Sequence, residues 1–297
     1  MTLTIAICTR NRFTDLKRCL LSLSKQKEIK KESIEVLIID DGELSVDEIN
    51  TLENIVFKYQ FSYYKKKKAG LFLSRLKAVE RSKNEIILFL DDDVVLDENY
   101  LSLLLKTYED FPKAAGVGGV DMLLPKYGFL RKLYSRIFLY HSGDKSKLSL
   151  SMMNSSMYLW QDEKEPFLSE FLDGCNMSFK KSALKDVEFQ DYFNHYSLGE
   201  DLFFSLYALK RGDLMVNPSL KVKHIKSPLS RDRAENVAFM KVVNHYKLLK
   251  YSNNKNYKYI TIWWTYTGYL FASFCKMDFK ELKGYMKGMK YLVYEKI

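Results

Sequence analysis

One stretch constrains the fold of this chain more than any other: residues 85–100, EIILFLDDDVVLDENY. Residues 86–90 form a continuous apolar run of strand length, which predicts a strand buried on both faces of a parallel sheet. The run ends abruptly at Asp91, Asp92 and Asp93. The sequence therefore predicts an α/β protein with three adjacent carboxylates at the carboxyl end of a central strand.

This acidic triplet predicts a metal site. Neighbouring carboxylates repel one another and are costly to desolvate, and a divalent cation removes both penalties. Ligands of open α/β sheets bind at the carboxyl ends of strands, where carboxylates commonly hold Mg²⁺ or Mn²⁺. The alternative is an acidic turn that caps the helix predicted from about residue 98. An EF-hand is excluded because the sixth position counted from Asp91 is Leu96, where that loop needs glycine.

Polar turns follow two more predicted strands, at residues 3–8 and 35–39. These turns hold Thr9, Arg10, Asn11, Arg12, Asp40 and Asp41. Thr and Asn can cap the next helix, but two arginines exceed what capping requires, and arginine suits bidentate contacts with phosphate or a base. The two aspartates either cap a helix or accept hydrogen bonds from a nucleobase or ribose.

Several residues further along the chain are candidates for chemistry, each with a plainer alternative. Arg75 lies one turn into a helix that opens at Gly70, where a surface arginine is the plain interpretation. Glu200 and Asp201 begin an amphipathic helix, so one can cap it and the other can act as a catalytic carboxylate. His224 ends a short strand, and a lone histidine is more often structural than a ligand.

Two loops are also singled out. The turn of Asp173, Gly174, Cys175 and Asn176 enters a predicted strand. Residues 121–165 have no clean period, and long connections of this kind often carry specificity loops or lids.

Charge is placed unevenly along the 297 residues, whose formal net charge is +10. Residues 221–297 hold 16 Lys and Arg against 5 Asp and Glu, so the charge lies in the tail. A basic tail indicates nucleic acid or an anionic membrane surface. Its many aromatic residues and its lack of a nucleic-acid motif favour the membrane. The four cysteines form no metal-type pair, and the N-terminus has no signal-peptide pattern, which predicts a reduced, cytoplasmic protein.

Residues 259–275 carry no charge and predict a helix of about 26 Å, shorter than the roughly 30 Å hydrocarbon core of a bilayer. Trp263 and Trp264 suit the headgroup level, and flanking Lys258 and Lys276 would meet anionic lipid. The pattern favours a helix lying on the membrane surface. A membrane span and a helical cap packed on the domain remain open.

Taken together, the motifs resemble the family 2 glycosyltransferases of the GT-A fold. The matching segments are residues 8–12, 38–42, 70–75, 89–93, 173–179 and 199–201, in family order over roughly residues 1–250. The resemblance implies a Rossmann-like, mostly parallel sheet flanked by helices in residues 1–230. Residues 231–297 would form a helical C-terminal region.

The resemblance also implies an activity. The protein would be an inverting, metal-dependent glycosyltransferase of the hexosyltransferase type, using a nucleotide-diphosphate sugar, with UDP-sugars favoured. The acceptor would be a hydroxyl of a glycan or lipid-linked glycan in bacterial polysaccharide biosynthesis, with no nucleic-acid partner. Asn244, Tyr246 and Lys250 look like the tail pattern of members that build bacterial surface polysaccharides. The protein would lie on the inner face of the cell membrane.

The resemblance assigns a role to each motif. The nucleotide would be held by Thr9, Arg10, Asn11, Arg12, Asp40, Asp41, Gly70, Arg75, Asp91 and Asp92. The Mn²⁺ or Mg²⁺ ligands would be Asp93, Asp91 and His224. Asp201 would be the catalytic base beside Glu200. Asp173, Gly174, Cys175 and Asn176 would line the sugar and acceptor side. Arg10 departs from the family, which commonly has an aromatic residue at that position.

Three other functions compete with this hypothesis. A non-catalytic nucleotide-sugar or lipid-carrier binding protein on the same fold would not need both the acidic triplet and the Glu200–Asp201 pair. A sugar nucleotidyltransferase needs a glycine-rich loop after the first strand, and residues 9–14 contain no glycine. A basic nucleic-acid-binding protein would be revealed by the absorbance of bound nucleic acid.

Overall fold

The computed structural model describes residues 1–188, 198–229, 233–252 and 259–294. The predicted boundary between residues 230 and 231 lies outside the described residues, as does Lys258.

The first half of the chain alternates strands and helices as predicted. Its elements are β1 (Leu3–Thr9), α1 (Phe13–Ser24), β2 (Ile34–Asp40), α2 (Val46–Ile55), β3 (Gln60–Lys65), α3 (Leu71–Arg81) and β4 (Ile86–Asp91). The strands pair in parallel in the order β3-β2-β1-β4. β2 is buried along its whole length, and the apolar residues of β1 and β4 are buried too. The turns after β1, β2 and β4 therefore share one edge of the sheet.

The second half completes the sheet with strands of both directions. Its elements are β5 (Val94–Leu96), α4 (Tyr100–Asp110), β6 (Ala114–Asp121), α5 (Phe129–Ile137), β7 (Phe167–Ser169), β8 (Asn176–Lys180), α6 (Glu200–Leu209) and β9 (Asp213–His224). β8 lies antiparallel between β4 and β6, and β5 and β7 lie antiparallel to β9. The GT-A architecture is confirmed. The mostly parallel pairing holds only for the first four strands and for β6 with β9.

The second half contains local features that the sequence did not reveal. His224 ends not a short strand but β9, which runs on through Asn217 and Pro218 because a register shift between Gly118 and Val120 absorbs the interruption. After β8, Lys181–Leu184 form a single 3-10 turn. The region without a clear period, residues 121–165, contains α5 and a 3-10 helix, Ser155–Asp162.

Three helices end the described chain: α7 (Ala234–Ser252), α8 (Tyr259–Cys275) and α9 (Phe279–Tyr294). α9 packs closely on α7, since a Cβ on Gly284 would lie 2.2 Å from the Glu235 carbonyl oxygen. α7 places Val242 and Leu248 in the same hydrophobic core as Trp160 of the 3-10 helix. Within the described residues, every helix is too short or too polar to cross a bilayer.

Candidate active site

The turn between β4 and β5 is built around a buried Asp92. Its Oδ2 accepts a hydrogen bond from Thr9 Oγ1 at 2.7 Å, and its Oδ1 accepts one from Arg12 Nη1 at 3.1 Å. Burial raises the pKa of Asp92 to about 7, although Arg12 and Thr9 oppose the shift. Asp92 therefore joins the acidic turn to the loop after β1, and Arg12 Nη1 also lies 3.7 Å from Asp93 Oδ2.

Asp91, Asp93 and His224 form a cluster whose potential ligand atoms all lie within 4.8 Å of one another. β5 brings the histidine there, because its pairing with β9 sets Val94 opposite His224. His224 Nε2 lies 3.0 Å from Asp93 Oδ1 and 4.0 Å from Asp91 Oδ2. The backbone N–H of His224 donates to Asp121 Oδ1 at 3.0 Å, which fixes the end of β9.

The chemistry of this cluster fits a divalent cation. Two carboxylates suit both Mn²⁺ and Mg²⁺, whereas an imidazole suits Mn²⁺ better than the harder Mg²⁺, and ligands on opposite sides of such an ion lie roughly 4 Å apart. Burial alone lowers the pKa of His224, but its hydrogen bond to Asp93 and the charge of Asp91 outweigh it, so the pKa is raised. Burial raises the pKa of Asp93, yet His224 and the Ser227 N–H outweigh it and lower the pKa.

Arg75 lies at the centre of the site and is buried. Its Nη1 donates to Glu200 Oε1 at 2.8 Å, and its Nη2 donates to Asp91 Oδ1 at 3.0 Å and to the Gly174 carbonyl at 2.8 Å. Burial raises the pKa of Glu200 to about 8, with Arg75 opposing the shift. The guanidinium thus joins β4, the turn before β8 and the start of α6.

Asp201 is placed by two glycines. A Cβ on Gly174 would lie 3.0 Å from Asp201 Cβ, so glycine there lets α6 approach. Gly199 adopts φ +90°, and a Cβ on it would lie 2.7 Å from a Leu248 methyl of α7. Burial raises the pKa of Asp201, while backbone N–H groups at the start of α6 and the charge of Arg75 oppose it. A carboxylate with a raised pKa is a better proton acceptor.

The loop after β2 is braced from the β3–α3 side. Asp41 Oδ2 accepts from the Gly70 N–H at 2.9 Å and from Ser74 Oγ at 2.8 Å, while Oδ1 lies 2.8 Å from Lys66 Nζ. Lys66 Nζ also donates to the Gly70 carbonyl at 2.9 Å. Asp41 therefore orders the turn that begins α3.

These elements enclose one cavity of about 480 Å³. Fifteen of the residues singled out from the sequence line it: Thr9, Arg10, Arg12, Asp41, Gly70, Arg75, Asp91, Asp92, Asp93, Asp173, Gly174, Cys175, Glu200, Asp201 and His224. Burial raises the pKa of Asp173 in this lining to about 6. The structure thus brings together residues that are up to 215 positions apart in the chain.

Three residues singled out from the sequence lie outside that lining and support it instead. Asp40 is completely buried and accepts from the Gly42 N–H at 2.6 Å and from Tyr63 Oη at 2.7 Å. Asn11, at φ +55°, accepts from the Glu43 N–H through Oδ1 at 2.9 Å. Asn176 is buried and accepts from the Gly119 N–H at 2.7 Å. These side chains are occupied by the protein's own donors.

Sequence reasoning missed four contributors. Lys66 belongs to a run of four lysines, residues 65–68, which is typical of a solvated surface, yet its side chain is only 8% exposed, against Asp41. Lys226 lines the cavity, and the Ser227 N–H donates to Asp93 Oδ2 at 2.8 Å. Their nearness to His224 in the sequence was the available signal. Cys8 also lines the cavity, where burial raises its thiol pKa to about 12, so it remains protonated.

The fold and this site define a glycosyltransferase of the GT-A fold. The structure of residues 1–349 of S. aureus TarS is similar over 86% of this chain and 67% of that chain, with 14% identity and a TM-score of 0.56. The mannosyltransferase PcManGT from Pyrobaculum calidifontis, in complex with GDP-Man and Mn²⁺, is similar over 99% and 88%, with 12% identity and a TM-score of 0.60. TarS also has a structure in complex with UDP-GlcNAc.

The chain belongs to glycosyl transferase family 2, whose sequence model matches residues 4–187. A curated relative is the glucosyl-dolichyl phosphate glucuronosyltransferase of Haloferax volcanii, 24% identical over 126 residues. That match spans 40% of this chain and 38% of the relative's length.

Proposed function

We propose that this glycosyltransferase moves a sugar, with inversion, from a nucleotide-diphosphate sugar to a hydroxyl group of a glycan or lipid-linked glycan. One observation carries the proposal. The Asp91–Asp93–His224 cluster and the carboxylate of Asp201 line the same cavity, together with the arginines of the loop after β1. A site for a charged leaving group and a proton acceptor thus share one enclosed space.

The donor would lie across the loops after β1, β2 and β4. Arg10 of the first loop lines the cavity, and its guanidinium would contact phosphate or the base. Asp91, Asp93 and His224 would hold a Mn²⁺ or Mg²⁺ ion. When bound, such an ion supplies Lewis-acid stabilisation of the charge on the diphosphate. A UDP-sugar is the favoured donor, with the nucleotide contacts divided among Thr9, Asp41, Gly70 and Arg75.

Asp201 would remove the proton from the acceptor hydroxyl as that oxygen attacks the anomeric carbon. Glu200 would not share this role, because its carboxylate accepts the hydrogen bond from buried Arg75. Asp173 and Gly174 would line the sugar and acceptor side. The transition state would have oxocarbenium character, as in other glycosyl chemistry, and the site would have to exclude water, which would otherwise hydrolyse the donor.

The acceptor would be a polysaccharide precursor on a lipid carrier, as in bacterial surface polysaccharides. The enzyme would then work in the cytoplasm at the inner face of the cell membrane. The basic charge of residues 221–297 supports this placement, because an anionic leaflet attracts lysine and arginine at about 1 kcal/mol per residue near its surface.

Substituting the base tests the mechanism. We expect Asp201→Asn to lower transfer by about a hundredfold to ten-thousandfold, as loss of general-base catalysis does, while donor binding survives. The matched control is Asp47→Asn, an exposed acid in the first turn of α2. Transfer would be measured as release of nucleoside diphosphate in the presence of acceptor. Near-normal turnover of Asp201→Asn would refute this assignment.

The donor class is tested by thermal melting with UDP, GDP, dTDP and CMP, each with and without Mn²⁺. A ligand at a hundred times its dissociation constant adds about 2.7 kcal/mol to the free energy of unfolding, which shifts the melt visibly. A metal-dependent shift with one diphosphate supports the proposal and identifies the nucleotide. Binding without any transfer would favour a non-catalytic nucleotide-sugar binding protein instead.

A further inference from the structure

α5 presents an unusually exposed row of apolar side chains. Phe129 and Leu130 are 79% and 78% exposed, and Ile137, on the same side of the helix, is 49% exposed. Burying large apolar side chains stabilises a folded protein, so leaving these three in water forgoes that stabilisation. Ser135 is buried on the opposite side of the helix. The apolar row therefore faces away from the protein.

α8 continues this row. Trp264, Phe271 and Phe274 are 49%, 55% and 66% exposed, at spacings of seven and three that keep them on one side of the helix. Trp264 Nε1 donates to the Ile137 carbonyl oxygen at 2.7 Å. The ring of Phe271 stacks on Tyr134 of α5, with centroids 6.3 Å apart. The exposed residues of α5 and α8 are thus neighbours across a helix junction.

We propose that this docking face, made of Phe129, Leu130 and Ile137 of α5 with Trp264, Phe271 and Phe274 of α8, inserts into the interfacial layer of an anionic membrane. The proposal rests on the membrane attachment suggested above and is independent of the transfer chemistry. It makes α5, in the first 230 residues, a principal anchor together with the C-terminal region.

The charges of α5 and α8 favour a membrane over a second copy of the chain as the partner of this docking face. Residues 129–137 and 259–275 contain no acidic residue, and α5 carries three exposed cations, Arg131, Lys132 and Arg136. An anionic bilayer offers an apolar layer beneath a negative surface, which complements both features. A second copy of the chain would instead bring its own α5 cations against these, with mutual repulsion.

Vesicle sedimentation tests the docking face. The probes are vesicles of phosphatidylcholine alone and of phosphatidylcholine with one-third phosphatidylglycerol. We expect Phe129→Ser with Leu130→Ser to weaken binding to the anionic vesicles by about tenfold or more. The matched control is Val46→Ser with Phe57→Ser, both 72% exposed and in or next to α2, which should bind like the wild type.

A second variant tests how much the positive charge of α5 contributes to vesicle binding. Replacing Arg131, Lys132 and Arg136 with glutamine should weaken binding to the anionic vesicles by about fivefold per charge and reduce the preference for phosphatidylglycerol, while the basic residues 221–297 retain part of it. Brominated lipid in the same vesicles should quench the fluorescence of the wild type more than that of Trp264→Phe, which identifies the inserted residue.

Each outcome has a distinct meaning. Equal binding by the α5 double variant and the wild type would overturn the docking face but leave membrane attachment in place. If the wild type ignores both vesicles, attachment itself is refuted. A wild-type dimer that the double variant converts to a monomer would identify a second copy as the occupant. Nucleotide melting shifts report the donor site separately in every case.

Discussion

Acidic residues end two strands that flank β1, and the two groups have different surroundings. After β2, Asp40 accepts hydrogen bonds from backbone N–H groups and a tyrosine hydroxyl, and Asp41 is held by the Gly70 N–H, Ser74 and Lys66. After β4, Asp91 contacts Arg75 and Asp93 contacts His224, and both carboxylates line the cavity. Asp40 is completely buried, whereas Asp91 and Asp93 belong to a cluster that could hold a cation. We therefore expect Asp40 to serve structure and Asp91 and Asp93 to serve chemistry.

The largest expected effect is a loss of sugar transfer when an aspartate of the turn after β4 is substituted. Asp93→Asn should lower transfer by about a thousandfold or more, because it removes one of the proposed metal ligands. Its free energy of unfolding should fall by only about 1–3 kcal/mol, because the amide keeps an acceptor for the Ser227 N–H but loses the charged contact with His224. Steady-state rates and urea unfolding would measure the two quantities. Retention of more than a tenth of the wild-type rate would contradict the assigned role.

The second expected effect is on stability. Asp40→Ala should lower the free energy of unfolding by about 3–5 kcal/mol, because it leaves buried donors of Gly42, Leu44 and Tyr63 without their acceptor. Urea unfolding followed by circular dichroism measures it. Asp110→Ala, which breaks an exposed pair with Lys106, is the control and should cost less than about 1 kcal/mol. A similarly small loss for Asp40→Ala would show that the hydrogen bonds accepted by Asp40 contribute little to stability.

The third expected effect is on metal binding, which should differ between variants of the two acidic turns. Mn²⁺ at a hundred times its dissociation constant should stabilise the wild type by about 2.7 kcal/mol, and a chelator should reverse the shift. Asp93→Asn should lose this response, whereas Asp40→Asn should keep it from a lower starting stability. Differential scanning fluorimetry provides the comparison. Equal responses of the two variants would place the ion elsewhere.

The smallest expected effect is a pH dependence of the free energy of unfolding, which comes from a histidine outside both acidic turns. Burial lowers the pKa of His245 to about 4, with its contact to the Ser151 carbonyl opposing the shift. Between about pH 4 and 6.5 the unfolded chain binds more protons at this site, so stability falls as the pH falls through that window.

The matched variant isolates this contribution. Relative to His245→Gln, the wild type should lose about 2 kcal/mol between pH 7 and pH 4.5 in urea unfolding. If the free energy of unfolding of both proteins changed with pH in the same way, His245 would have the same pKa in the folded and the unfolded chain. With this contribution subtracted, the remaining pH dependence can be compared between variants of the two acidic turns.

The sequence predicted best where one kind of residue forms a long uninterrupted pattern. The charge-free run predicted α8 with the bounds that the structure has, Tyr259–Cys275. The apolar run before the acidic triplet predicted β4 equally well. A long run of one kind of residue can be recognised without knowing its neighbours, whether the element is buried on both faces, as β4 is, or partly exposed, as α8 is.

Prediction failed where an element depends on distant partners. β5 has three residues and exists because β9 pairs with it, and that pairing places His224 beside Asp93. α5 was missed because its apolar side faces solvent rather than a core. Within the candidate site, the sequence could not distinguish the role of Asp40 from that of Asp41. Whether such an aspartate supports a loop or lines the cavity depends on the hydrogen-bond donors that surround it in three dimensions.

The contact between α7 and the start of α6 has a consequence for the order of events during synthesis. Asn244 Nδ2 donates to the Leu198 carbonyl oxygen at 3.1 Å, and Leu248 lies against Gly199. A nascent chain that has emerged as far as residue 230 contains every proposed catalytic group but lacks this support for Asp201. At about 5–20 residues per second, the 22 residues from position 231 to the end of α7 at Ser252 take roughly 1 to 4 seconds to appear. Sugar transfer would therefore begin only after α7 has been made and has packed against the start of α6.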